Sequence, residues 1–226
     1  MITYPTIRPL RLDDYRGTAE EEQLDRVQHL ASGLRGMRVN HVNSTAHGGG
    51  VAEILRSLVP LMRDVGLEAR WLVIPGSDDF FRTTKRLHNL LQGAEGELSP
   101  GEVARYAGHV QHVAKELRRR GESADAWVMH DPQSLPLPAL LPQERAPIWI
   151  CHIDTTAPNQ SAVEAVLPWM EAYPLLVFSL QEYTLPQLDP CRIRVVPPAI
   201  DPLQTKNICP GPATARRTSG RTPGEQ

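Results

Sequence analysis

Residues 37–62, MRVNHVNSTAHGGGVAEILRSLVPLM, constrain this chain more than any other stretch. A short apolar strand runs into a polar turn that ends in three consecutive glycines, and an amphipathic helix follows. Gly48, Gly49 and Gly50 carry no Cβ, so the backbone can turn sharply and another group can approach it closely. The first N–H groups of the helix behind them lack intrahelical acceptors and point outward, which makes the turn an anion cradle suited to a phosphate or a sugar phosphate. The same pattern also serves as a tight strand-to-helix turn with no ligand. Val51, Ile54, Leu55, Leu58, Val59, Met62 and Val65 recur at i, i+3, i+4 spacing and predict one buried helix face, kinked at Pro60. No Gly-Lys-Ser/Thr of a Walker loop is present, and the glycine spacing is not Gly-x-Gly-x-x-Gly. The next strand, Arg70 to Ile74, ends in Pro75-Gly76 with no acidic residue to hold a ribose, which disfavours a nicotinamide dinucleotide.

The pattern then repeats. Helices are predicted near Phe80–Leu91, over Pro100–Arg120 and near Ala162–Ala172, and strands at Ala126–Met129, Pro147–Cys151, Leu175–Phe178 and Ile193–Val196. The long helix is announced by Ser99-Pro100-Gly101-Glu102, a capping box with proline at the first helical position. Short apolar strands alternating with helices imply an α/β fold, a doubly wound, mostly parallel sheet of Rossmann type. A polar segment, 1–36, with a helix over Glu20–Leu34, reads as an N-terminal extension on or beside the main domain. The tail from Ile208 to Gln226, rich in Pro, Gly, Thr and Arg, lacks the apolar residues needed to pack and reads as disordered.

Composition removes several classes of function. With 226 residues and 41% apolar content the chain can bury a real core. Lysine and arginine total 24 against 26 acids, so nothing electrostatic points to nucleic acid. No apolar run approaches the ~20 residues of a membrane span, and the opening residues lack a signal-peptide core, so a cytoplasmic, non-membrane protein is expected. Cys151, Cys191 and Cys209 are too scattered for a disulfide framework or a Cys-x-x-Cys metal site and read as buried thiols.

Doubly wound sheets bind ligands beyond the carboxyl ends of their strands. Polar residues stand at four successive exits: Asn43 and Ser44, His130 and Asp131, His152 and Asp154, and Ser179 with Glu182. Loops are polar in any case, and Asp or Asn often cap helices, so the set carries more weight than any member. His130, His152 and Asp131 show no ligand spacing that points to a metal, and no Gly-x-Ser-x-Gly elbow points to a serine hydrolase.

Several motifs in order carry a resemblance. VNSTAHGGGVAE at 42–53, RWLVI at 70–74, FFRTTKRLHN at 80–89, HDPQ at 130–133, CHID at 151–154, FSLQEY at 178–183 and PPAIDPL at 197–203 are similar to the trehalose synthases of glycosyltransferase family 4. The resemblance spans Met37 to about Asn207. It implies the N-terminal, acceptor-side half of a GT-B enzyme, which transfers glucose from a nucleotide-glucose to glucose with retention, or works from glucose 1-phosphate in the phosphorylase members. Carried over residue by residue, Gly48, Gly49 and Gly50 would approach the donor phosphate and sugar. Asp131 would accept a hydrogen bond from an acceptor hydroxyl, and His152 would contact the transferred glucose. Lys85, His88 and Asn89 share a helix flank and, with Glu182, would line the acceptor pocket; a solvated helix face is the other reading of that flank. The resemblance implies neither a cofactor nor a metal. It also implies that the donor-binding half lies outside the matched stretch, so the chain alone is expected to be inactive, with a separate C-terminal GT-B domain or a homodimer as its expected partner. A non-catalytic sugar-binding module, or a truncated remnant, is the alternative.

Overall fold

The computed structural model describes residues 1–141, 147–204 and 207. Cys209 and the tail expected to be disordered, 208–226, lie outside the described residues. The elements in chain order are α1 (Glu21–Ser32), β1 (Arg38–Asn43), α2 (Gly50–Asp64), β2 (Glu68–Val73), α3 (Asp78–Leu91), α4 (Pro100–Arg119), β3 (Ala126–His130), α5 (Asp131–Ser134), β4 (Pro147–Cys151), α6 (Gln160–Met170), β5 (Leu175–Phe178) and β6 (Ile193–Val195). The six strands form one sheet in the order β2-β1-β3-β4-β5-β6, and every neighbouring pair is parallel. The chain leaves β1 toward β2 and then crosses back to β3, so the topological switch point falls between β1 and β3. That is where such sheets open a ligand crevice.

The strand period of two sorts the side chains onto two faces. One face carries Val42, Leu72, Met129, Trp149 and Phe178, which pack with residues of α3, α4 and α6 into the main core. The other carries Val39, Ala126, Val128 and, on the edge strand, Ala69, Trp71 and Val73, covered by α1 and α2. The capping box at α4 forms as expected: Ser99 Oγ accepts from the Glu102 amide at 3.3 Å and Glu102 Oε2 accepts from the Ser99 amide at 2.9 Å. Ahead of β1, Ile2 joins the main core, and Thr3 exchanges two backbone hydrogen bonds with Val73 at 2.9 and 3.0 Å, which covers the carboxyl end of the free edge of β2.

Two expectations need correction. The buried stripe of α2 is rotated from the apolar repeat: Leu58 is 36% exposed, whereas Ser57 is buried. Ser57 Oγ donates to Asp201 Oδ2 at 2.6 Å, and Asp201 Oδ1 accepts from Tyr15 Oη at 3.0 Å. The segment after β6 is thereby clipped over the helix face where the serine sits, and a polar pairing displaces a leucine from the interior. Of the described cysteines, Cys151 is buried in β4 but Cys191 is exposed. Cys191 belongs to a single turn, Pro190–Arg192, whose amide is capped by Asp189 at 2.9 Å at the margin of the sheet, where no interior exists to hold it.

Candidate functional site

A cleft of about 770 Å³ opens at the switch point. One wall is the turn between β1 and α2. Asn43 anchors its base, accepting from Trp71 Nε1 at 2.8 Å and donating to the Thr45 carbonyl at 2.7 Å. Arg56 reaches back from α2 to the Ala46 carbonyl at 2.8 Å and lies 2.9 Å from His47 Nδ1. With both ends tied, Gly48 (φ 71°) and Gly49 (φ 83°) take left-handed geometry that side chains resist, and α2 starts at Gly50. A Cβ at any of the three glycines would meet no atom within 4 Å, so the turn faces open space. The unbonded amides of the first turn of α2 are left free for an anion.

The facing wall is built around Asp131. It is the one non-glycine among the described residues with positive φ, at 57°, and it precedes Pro132, which narrows its choices further. Such a backbone costs on the order of 1–3 kcal/mol and persists only where its surroundings hold it. Three contacts do so. The Asp131 carbonyl accepts from Trp149 Nε1 at 3.1 Å, its Oδ1 accepts from the His152 amide at 3.0 Å, and the next carbonyl, of Pro132, accepts from the Tyr106 hydroxyl. Burial pushes the Asp131 carboxyl up, against the pull of the His152 ring and amide. Burial pushes His152 down while Asp131 opposes it.

Behind this wall two more imidazoles are sealed in the sheet. His41 on β1 and His130 on β3 are 3% and 1% exposed, and burial lowers both, His41 to about 4. His41, His130 and His152 stand side by side across β1, β3 and the exit of β4. Among the described residues, no three His, Cys, Asp or Glu groups are arranged to hold a metal ion.

Of the residues singled out in the sequence, Gly48, Gly49, Gly50, Asp131, His152, Lys85 and His88 all line the cleft. Burial lowers His88, helped by neighbouring Lys85 and opposed by Asp131. Asn89 and Glu182 do not line it. Asn89 lies in a shallow hollow on α3 that Lys85 also borders, and Glu182 is exposed on the single turn Gln181–Tyr183. Asp154 borders the cleft, but its Oδ1 is taken by the Thr156 amide at 2.9 Å and hydroxyl at 2.6 Å, which also hold its carboxyl low. Sequence reasoning missed Arg56 and His41. Their signals, a basic residue two turns into the helix and a histidine inside a strand, are common wherever no site exists.

An all-parallel, doubly wound sheet with a polar cleft at its switch point defines an α/β domain of Rossmann type. A model of the trehalose synthase N-terminal domain matches residues 41–185, and the chain belongs to that family. It is 43% identical over 204 residues to a trehalose synthase of Rubrobacter xylanophilus, covering 87% of this chain and 48% of that protein. It is 31% identical over 141 residues to a trehalose phosphorylase of Pleurotus pulmonarius, covering 58% and 19%. The chain thus spans about half the length of the trehalose synthases it matches. Among solved structures, trehalose-6-phosphate synthase from E. coli bound with UDP-2-fluoro glucose aligns with a TM-score of 0.55 at 15% identity, over 80% of this chain and 53% of that one. At that identity the likeness concerns the fold, the α/β architecture of GT-B proteins. No helix among the described residues is long and apolar enough to cross a membrane.

Proposed function

We propose that this chain forms the acceptor-side wall of a retaining glucosyl-transfer site that makes trehalose from glucose and a nucleotide-glucose or glucose 1-phosphate. The observation that carries the reading is the meeting in one cleft of an open glycine turn at a helix N-terminus with a strained carboxylate and an imidazole from neighbouring strand exits. Departure of a phosphate or diphosphate builds negative charge on oxygen, and the amides of α2 lie where that charge would be met. Asp131 accepts from an acceptor hydroxyl and His152 contacts the transferred glucose, both held by backbone contacts before substrate arrives. Lys85 and His88 flank the acceptor from within the cleft, with Asn89 and Glu182 beside it.

In this reading the working unit is residues 37–207, with 1–36 as a packed extension. The opposite, donor-holding wall corresponds to the part of the curated relatives beyond the matched half, supplied in cis or in trans. The likeness to a trehalose phosphorylase keeps glucose 1-phosphate beside the nucleotide-glucose as a donor. The test mixes the purified chain with glucose and each donor, with and without a separately expressed C-terminal half of the Rubrobacter relative. Trehalose is expected only in the complemented mixture. Its absence there with every donor, together with no calorimetric binding of glucose to the chain, would overturn the proposal.

A further inference from the structure

The three histidines form a continuous hydrogen-bonded row whose polarity is decided at its inner end. His41 Nδ1 lies 3.1 Å from His130 Nε2, and His130 Nδ1 lies 2.9 Å from His152 Nε2. The ring planes are 24° and 18° apart, with centroids separated by 5.4 and 5.2 Å. Two imidazoles have such separations when their facing nitrogens lie on the line joining the ring centres. The contacts are therefore in-plane N–H···N hydrogen bonds, not stacking of ring faces. A neutral imidazole has one N–H and one bare nitrogen, so the row has only two arrangements, and fixing one ring fixes all three. Burial keeps the inner rings neutral.

The choice falls to Met62, which α2 lays against the row with its Sδ 3.3 Å from His41 Nε2. A thioether has no proton to give, so this contact is a hydrogen bond only if Nε2 carries the proton. His41 Nδ1 is then bare and accepts from His130 Nε2–H, and His130 Nδ1 accepts from His152 Nε2–H. His152 Nδ1 remains bare. It has no partner among the described residues, where the sealed side-chain nitrogen without a partner is Asn40 Nδ2, and the His152 ring borders the cleft.

We infer that Met62 sets the hydrogen-bond polarity of the His41–His130–His152 row and so presents His152 Nδ1 to the cleft as an acceptor for a substrate hydroxyl. The identity of that hydroxyl as a sugar's rests on the reading of the site given above. The polarity divides the cleft chemically. A bare nitrogen accepts from a neutral hydroxyl but repels a phosphate oxygen, whereas the free amides at the start of α2 donate most strongly to a charged oxygen. Met62 and His41 are positioning residues in this scheme, acting on substrate only through His152.

Long-range proton–nitrogen correlation spectra of the full chain above neutral pH report which ring nitrogen carries the proton. The three rings are assigned by single substitutions. Nε2–H is expected at all three, and a protonated Nδ1 at any of them overturns the inference. Met62→Leu keeps apolar volume and removes the acceptor. His41 is then expected to shift toward tautomer-averaged nitrogen frequencies while the backbone spectrum stays that of the folded chain. A His41 that remains wholly Nε2-protonated would overturn the part assigned to Met62. If Met62→Leu fails to fold, the wild-type spectra still decide the polarity. Adding glucose 1-phosphate, which carries the glucosyl group to be transferred, to the wild-type chain complemented by the C-terminal half of the Rubrobacter relative is expected to shift the His152 Nδ1 resonance. No shift, with Nε2–H intact at all three rings, rejects the sugar as the hydroxyl donor and leaves the polarity standing.

Discussion

The two faces of the sheet are built for different ends. The face under α3, α4 and α6 is mainly apolar, with Leu72, Met129, Trp149 and Phe178 all essentially sealed from solvent and Asn40 on β1 as a buried polar exception. The face under α1 and α2 carries smaller apolar clusters, interrupted near the carboxyl ends of the strands by His41, Asn43 and His130. Burying neutral polar groups costs free energy unless each finds a partner. Here His41 and His130 pair with each other, and Asn43 with Trp71 Nε1 and the Thr45 carbonyl, so this face accepts a less apolar interior in exchange for groups that can meet a ligand. The strained backbone of Asp131 lies at the same end, where strain is tolerated because contacts from β4 and α4 hold it. Stability thus resides mainly on one face, whereas the candidate site gathers at the carboxyl ends of the strands, with the histidine row from the other face and Lys85 and His88 from α3.

That contrast can be broken most directly on the apolar face. Leu72→Ala should cost about 2–5 kcal/mol of unfolding free energy, through lost transfer energy plus a cavity, while the tautomers of the histidine row stay as in wild type. Denaturant unfolding and the imidazole spectra check both halves; a disturbed row would mean that the faces are coupled. On the other face the test is pH. His41 has a folded pKa near 4, below the ordinary 6.5, so between those values the unfolded chain binds more protons than the folded one. Stability is therefore fully present above about pH 6.5 and falls as pH drops to about 4, by on the order of 3 kcal/mol from this residue. His41→Gln should remove that share of the slope, read from denaturant midpoints at several pH values, and an unchanged slope would place the acid sensitivity elsewhere.

Effects on the proposed chemistry are expected to be more local. Asp131→Asn keeps an acceptor oxygen for the His152 amide and a side chain that tolerates positive φ, yet loses the charge. Trehalose formation by the complemented protein should fall about 100-fold with little change in melting temperature. A near-normal rate would remove Asp131 from the site. Gly49→Val adds bulk to the open turn at φ 83°, so donor affinity should weaken about tenfold, with a stability loss of about 1–2 kcal/mol. Unchanged donor affinity would contradict the cradle.

Much of this architecture is legible in the residues. Period-two and period-3.6 patterns depend on near neighbours, so the strands, α3, α4 and the capping box at Ser99 stand close to where the sequence places them. Strand ends are local too, which is why Gly48–Gly50, Asp131 and His152 could be singled out before their meeting was known. The misreadings have a common cause in contacts between residues far apart in the chain. Ser57 displaces Leu58 because Asp201, 144 positions later, reaches it. Cys191 is exposed because the turn that carries it leads into β6, the last strand of the sheet; which residues line the cleft likewise depends on the strand order.

The linear order of residues was enough to establish alternating strands and helices and a glycine turn, which rest on patterns within a few dozen residues, and a family resemblance, which rests on several such motifs in order along the chain. The histidine row was not legible in that way. His41, His130 and His152 are separated by 89 and 22 positions and meet only because β1, β3 and β4 lie side by side in a parallel sheet. Hydrogen-bond polarity belongs to the assembled row, because each ring's proton is placed by the next, back to a methionine on a helix laid across the sheet.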